Sequence, residues 1–133
     1  MSLRLSIGTR VAFLVSVLPM AVFALDVCAE PPKREGAKAT VVGDVYDSAC
    51  YFTRKLDKPV SHECAVQCAA GGSPLVIVTA EGEVYWPVDS KMPAIGQNKK
   101  LVKFGGMKVK VTGQVYERKG SKAIVMETIE QAK

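Results

Sequence analysis

From residue 39 to residue 129 the apolar positions fall in short runs broken by glycine, proline and charge. Ala39–Val45 reads Ala-Thr-Val-Val-Gly-Asp-Val, a β-branched run that suits a strand. Leu75-Val76-Ile77-Val78-Thr79 is a continuous apolar strand, Ala80-Glu81-Gly82 a turn, and Glu83–Val88 the returning strand of a hairpin. Met107–Tyr116 alternates apolar and polar residues, so one face is buried. Gly113 interrupts that run as a bulge or sharp bend would. Glu117–Ser121 is a turn and Lys122–Ile129 the last strand. One segment carries full helix punctuation: Ser61 as N-cap, His62–Ala70 as body, Gly71-Gly72 as stop and Pro74 against resumption. Asp47–Pro59 is mostly polar and turn-forming, and Asp89–Lys100, with Pro93, Gly96 and Asn98, reads as a loop. A short helical turn is expected near Lys99–Phe104. The pattern predicts a mainly β domain over residues 39–133, with five strands curled into a small barrel and one short helix between strands one and two.

The first 29 residues follow a different pattern. Arg4 and Arg10 precede an apolar stretch, Val11–Leu25, interrupted by Pro19 and ended by Asp26. Small residues follow at cleavage spacing, as in a secretory signal peptide. The apolar stretch is 15 residues long, shorter than the roughly 20 that a spanning helix needs. Export to the periplasm or cell envelope is the expectation, with no stable transmembrane span after cleavage. Asp26 and Val27 stand where lipidation of Cys28 would require small uncharged residues. Residues 30–38, with Pro31-Pro32, read as a flexible leader.

A chain of 133 residues holds one domain of ordinary size. That length excludes a multidomain enzyme and a polytopic membrane protein, and the sequence is neither collagen-like nor a repeat array. Cleavage after Ala29 would remove Arg4, Arg10 and Asp26 and leave a net charge of +4 on the remainder. The basic residues are interspersed, and Lys99-Lys100 and Arg118-Lys119 are too short for a nucleic-acid patch.

The stretch Gly106–Tyr116 followed by Ile124–Ile129 resembles the last hairpin of exported bacterial OB-fold proteins, and Asn98-Lys99-Lys100-Leu101 before the glycine pair is also similar. The resemblance spans most of Thr40–Ile129. It implies a five-stranded OB-like Greek-key barrel and says little about activity. A helix rich in His and Cys directly after strand one departs from an ordinary OB fold. Small uncharacterised exported bacterial proteins carry a similar Cys…His-x-Cys-x-x-x-Cys insertion, which implies a shared site.

Candidate chemistry is concentrated in that insertion. Cys50, His62, Cys64 and Cys68 lie within 19 residues and include the only histidine. Cys64 and Cys68, four apart on a helix, share one face. His62 starts the same helix, and Cys50 follows strand one and can close from the opposite side. Three thiolates and an imidazole form a closed tetrahedral set for zinc, and they suit Cu(I) equally. Cys-x-x-x-Cys resembles the pair in exported copper chaperones and in the oxidase copper centre, where only Cys64 and Cys68 carry over.

A disulfide competes with the metal, because exported proteins commonly oxidise their cysteines. Cys50 paired with Cys64 or Cys68 would staple the helix to strand one, and an odd thiol would be left over. Thiol redox catalysis is a third reading, weakened by the missing Cys-x-x-Cys. Asp44 and Asp47 flank strand one as turn acids or as hydrogen-bond partners of a ligating His62. Tyr85 and Trp86 are core or surface packing, or a platform on the barrel face for a protein partner.

The expected function is an exported, non-enzymatic metal-binding protein. It would hold one copper or zinc ion in a Cys3His site, in a structural or trafficking role, with a metal-accepting or envelope protein as partner. The alternative is a disulfide-stabilised OB-fold module that docks a protein in an envelope complex.

Overall fold

A computed structural model of the chain describes residues 34–54, 56 and 58–133. The signal segment 1–29, Cys28 and the first part of the leader lie outside the described residues. Strand β1 (Ala37–Asp47) runs directly into helix α1 (Ser48–Thr53), and helix α2 (His62–Ala70) follows. Next come β2 (Leu75–Val78), β3 (Val84–Pro87) and α3 (Asn98–Leu101), which continues into a 3-10 turn at Val102–Phe104. Strands β4 (Lys108–Arg118) and β5 (Ser121–Gln131) complete the chain. None of the helices among the described residues is long and apolar enough to cross a membrane.

The strands close in the order β1-β2-β3-β5-β4, with β4 returning to β1. All pairings are antiparallel except β3 with β5, which is parallel. This is the mainly β, five-stranded, OB-like barrel expected from the strand pattern. The register shift in the β4–β5 ladder falls between Thr112 and Gly113, where the glycine predicted a break. A Cβ on Gly113 would lie 2.1 Å from the carbonyl oxygen of Val125, so only glycine lets the strands approach there.

Alternation along β1 directs Val41 and Val45 inward and Val42 and Asp44 to the other face. The inward residues meet Leu75, Ile77, Val109, Val111, Ile124 and Met126 in one core. Ala65 of α2 and Leu101 of α3 join that core. These two helices therefore cover part of the barrel with their apolar residues.

The stretch after strand one departs from expectation. It contains α1, so two helices rather than one separate β1 from β2. Tyr, Phe, Thr and Cys are modest helix formers, and six residues are too few for propensity to reveal. The helix is held by its ends and its aromatic side chains. The Asp47 carboxylate accepts the Cys50 N–H at its start, and Arg54 N–H donates to the Cys50 carbonyl at its end. Tyr46, Tyr51, Phe52 and Trp86 then form a row of ring contacts, at centroid separations of 5.2, 5.1 and 6.1 Å, from α1 to the barrel wall.

Candidate metal centre

The strand register brings the start of α1 close to the end of α2. Asp47, the last residue of β1, pairs with Leu75, the first of β2. Ser48 N–H donates to the Pro74 carbonyl at 3.0 Å and extends this pairing by one step. The start of α1 thus lies against the segment that leaves α2. Cys50 is one turn into α1, and Cys68 lies near the end of α2. The return from α2 is tight, with Ser73 N–H on the Cys68 carbonyl at 3.0 Å.

Asn98, at the start of α3, fixes this corner. Its Oδ1 accepts the Leu75 N–H at 2.9 Å and its Nδ2 donates to the Ser73 carbonyl at 2.7 Å. A loop asparagine is an ordinary turn residue in sequence, and only the folded chain shows that it braces the α2–β2 connection.

The Sγ atoms of Cys50, Cys64 and Cys68 lie within 4.8 Å of one another. All three cysteines are free; Cys50 is buried, Cys68 half-buried and Cys64 exposed. Metal–sulfur bonds of about 2.3 Å put tetrahedral sulfurs about 3.8 Å apart. Drawing the thiols in by about an ångström or less would therefore suit one ion. Cys64 and Cys68 face one way because they are four apart on α2, whose Ser61 N-cap accepts the Cys64 N–H at 3.3 Å.

His62 is not brought into this thiol group. A helix turns about 100° per residue, so His62 and Cys64 diverge by about 200° around α2. The ring lies on the Ala65 side, and its Nδ1 is 3.0 Å from the Gly105 carbonyl oxygen. A carbonyl only accepts, so Nδ1 is the donor in this contact. The backbone at Gly105-Gly106 makes the contact possible. Gly106 has φ +75°, and a Cβ there would lie 2.4 Å from the Val60 carbonyl oxygen.

The two candidate acids part company. Asp44 sits on the face of β1 opposite the buried Asp47. Asp47 is fully buried, and its Oδ1 accepts the Cys50 N–H at 2.8 Å. Burial raises its carboxyl, but the Ser73 hydroxyl, the Cys50 N–H and the thiols of Cys50 and Cys68 more than offset this and hold it below the usual carboxylate range. These groups are near enough to act on the charge, yet none meets Oδ2 in hydrogen-bond geometry. Oδ2 is the one buried side-chain oxygen without a partner among the described residues. The same proximity acts in reverse on the thiols. Hydrogen bonding to Asp47, then burial, push Cys50 up to about 11. Burial, then the Asp47 charge, raise Cys68.

Tyr85 and Trp86 lie on β3 and are not among the close ligand atoms. Tyr85 donates to Glu83 Oε2 at 3.1 Å, and Lys122 both pairs with Glu83 and stands over the Tyr85 ring. Trp86 stacks on Phe52, with the two rings inclined by 8°. Phe52 itself is 60% exposed, so its part of the aromatic row faces solvent.

The chain matches no protein-family model, no curated protein and no solved structure, so its functional reading rests on the chemistry of the thiol site itself.

Proposed function

We propose that this protein binds one thiophilic transition-metal ion through Cys50, Cys64 and Cys68. The observation that carries the reading is the mutual approach of three unbonded Sγ atoms, contributed by two separate helices, to within 4.8 Å. Thiolates select soft or borderline ions such as Cu(I) and Zn²⁺ over Mg²⁺ or Ca²⁺. Cys64 is exposed, so an incoming thiol can reach the ion and displace one ligand at a time. This arrangement favours a carrier that receives and passes on its ion over a sealed structural site. The export expected from residues 1–29 would place the carrier in the cell envelope, with a metal-accepting protein there as its partner.

The test is elemental analysis of the protein purified under reducing conditions without chelator or affinity metal. About one equivalent of zinc or copper is expected, and Cys64→Ser or Cys68→Ser should each remove most of it. Unchanged metal content in both variants would overturn the assignment. A Cys50 disulfide in the peptide map of metal-free protein would instead favour the stapled docking module, with the Phe52–Trp86 stack as its contact surface.

A further inference from the structure

The thiol set supplies three ligands, and a tetrahedral ion takes a fourth. We infer that the fourth ligand is the Asp47 carboxylate, through Oδ2, and that it makes the site selective for a divalent borderline ion such as Zn²⁺ over Cu(I). This rests on the thiol site proposed above and goes one step further, to the class of ion it takes.

Three observations carry it. Asp47 is fully buried, and none of its proton-bearing neighbours meets Oδ2 in hydrogen-bond geometry, a costly arrangement for a carboxylate. The two carboxylate oxygens have separate tasks: Oδ1 is occupied as the cap of α1 at 2.8 Å from the Cys50 N–H, while Oδ2 is left over. Asp47 also stands where the two cysteine-bearing segments meet, since it pairs with Leu75 just after α2 and caps α1 one turn before Cys50. Asp47 lies outside the set of mutually close ligand atoms, so Oδ2 has to move toward the thiols for one ion to take all four ligands. His62 is the other candidate, and its ring is held on the far side of α2 by the Gly105 carbonyl.

The choice of ion follows from ligand chemistry. Carboxylate oxygen is an ordinary zinc ligand. It adds little for Cu(I), whose preference is for soft sulfur. Three thiolates and one carboxylate carry four negative charges, which a divalent ion reduces to −2, the same residual charge as in a four-cysteine zinc site. A monovalent ion would leave −3 in a partly buried site, which is harder to accommodate.

Asp47→Asn separates the ligand role from the capping role, because asparagine caps a helix as well as aspartate does while its amide nitrogen offers no lone pair to a metal. Zn²⁺ and Cu(I) affinities would be measured by chelator competition on the full chain under reducing conditions, for the unsubstituted protein, Asp47→Asn, His62→Gln and Cys64→Ser. Asp47→Asn should weaken Zn²⁺ by at least about 100-fold, beyond what loss of a group that merely supports a ligand costs, and leave Cu(I) within a few-fold. His62→Gln should change neither. In the Co²⁺-substituted protein, the visible ligand-field bands should shift in Asp47→Asn and stay in place in His62→Gln.

Equal Zn²⁺ affinity in Asp47→Asn would overturn the inference while leaving the thiol site standing. Equal weakening of both ions would also overturn it, by making Asp47 a positioning residue. A loss of Zn²⁺ affinity in His62→Gln alone would hand the fourth position to the imidazole. Failure of the unsubstituted chain to take up either ion would overturn the thiol site and this inference together.

Discussion

Cys50 faces two opposed electrostatic demands. Beside the Asp47 carboxylate it is held as a thiol, with its titration pushed up to about 11. As a metal ligand it must be a thiolate, and only a cation next to it can supply the compensation. The metal-free state therefore has a definite pH signature. An unfolded cysteine titrates at about 8.5. Above that pH the unfolded chain gives up this proton before the folded one does, so the folded state binds more protons and loses stability as pH rises. The contribution is fully present below about pH 8.5 and is lost as pH rises through the folded value of about 11. Urea midpoints of reduced, metal-free protein should therefore fall between pH 7 and pH 10 more steeply for the unsubstituted chain than for Cys50→Ser. Parallel slopes would show that Asp47 does not govern this thiol.

At the scale of elements, the site is a product of where two short helices begin and end. α1 begins at Asp47 because that residue ends β1 and caps the helix with the same side chain. α2 sits where Ala65 enters the core and where the backbone of residues 105–106 passes beneath its first turn. Gly106 permits that passage: its φ of +75° suits glycine, and a Cβ would meet the Val60 carbonyl oxygen at 2.4 Å. Gly106→Ala should destabilise the fold by about 1–3 kcal/mol, readable as a drop in thermal midpoint. It should weaken metal binding as well, since α2 carries two of the three thiols. A variant that melts normally would show that the loop can shift and that α2 does not depend on it.

At the scale of the whole molecule, an ion would join elements that the hydrophobic core links only indirectly. Cys50 belongs to a helix held by its cap and by aromatic contacts on the barrel wall, whereas Cys64 and Cys68 belong to a helix anchored in the core through Ala65. An ion bound to both binds the folded state alone and stabilises it by mass action. Free metal at 100 times its dissociation constant should add about 2.7 kcal/mol to the unfolding free energy, and Cys68→Ser should show none of that gain. Equal thermal shifts in both proteins would place the ion elsewhere on the surface. The interspersed charges fit this picture, since surface pairs such as Lys38–Glu127 and Lys110–Glu130 are exposed and contribute little.

Elements whose signals are local can be read directly from the residue order. Alternation marked β4, continuous apolar runs marked β2, Ser61 and Gly71-Gly72 bounded α2, and Gly113 marked the bulge. The residue order also determined that Cys64 and Cys68 share a helix face, because a four-residue spacing does so wherever the helix lies. What depended on contacts between distant segments was decided only by the tertiary structure. The pairing of Asp47 with Leu75, 28 positions apart in the numbering, brought Cys50 to the thiol pair. Helix α1 owes its place to a cap and a row of rings rather than to propensity. His62 looked like a ligand from its distance along the chain, but the helical turn and the Gly105 carbonyl direct its ring to the other side. Asp47, a turn acid in the sequence, became a buried carboxylate with one oxygen unpartnered, because the pairing of β1 with β2 and the start of α1 enclose it.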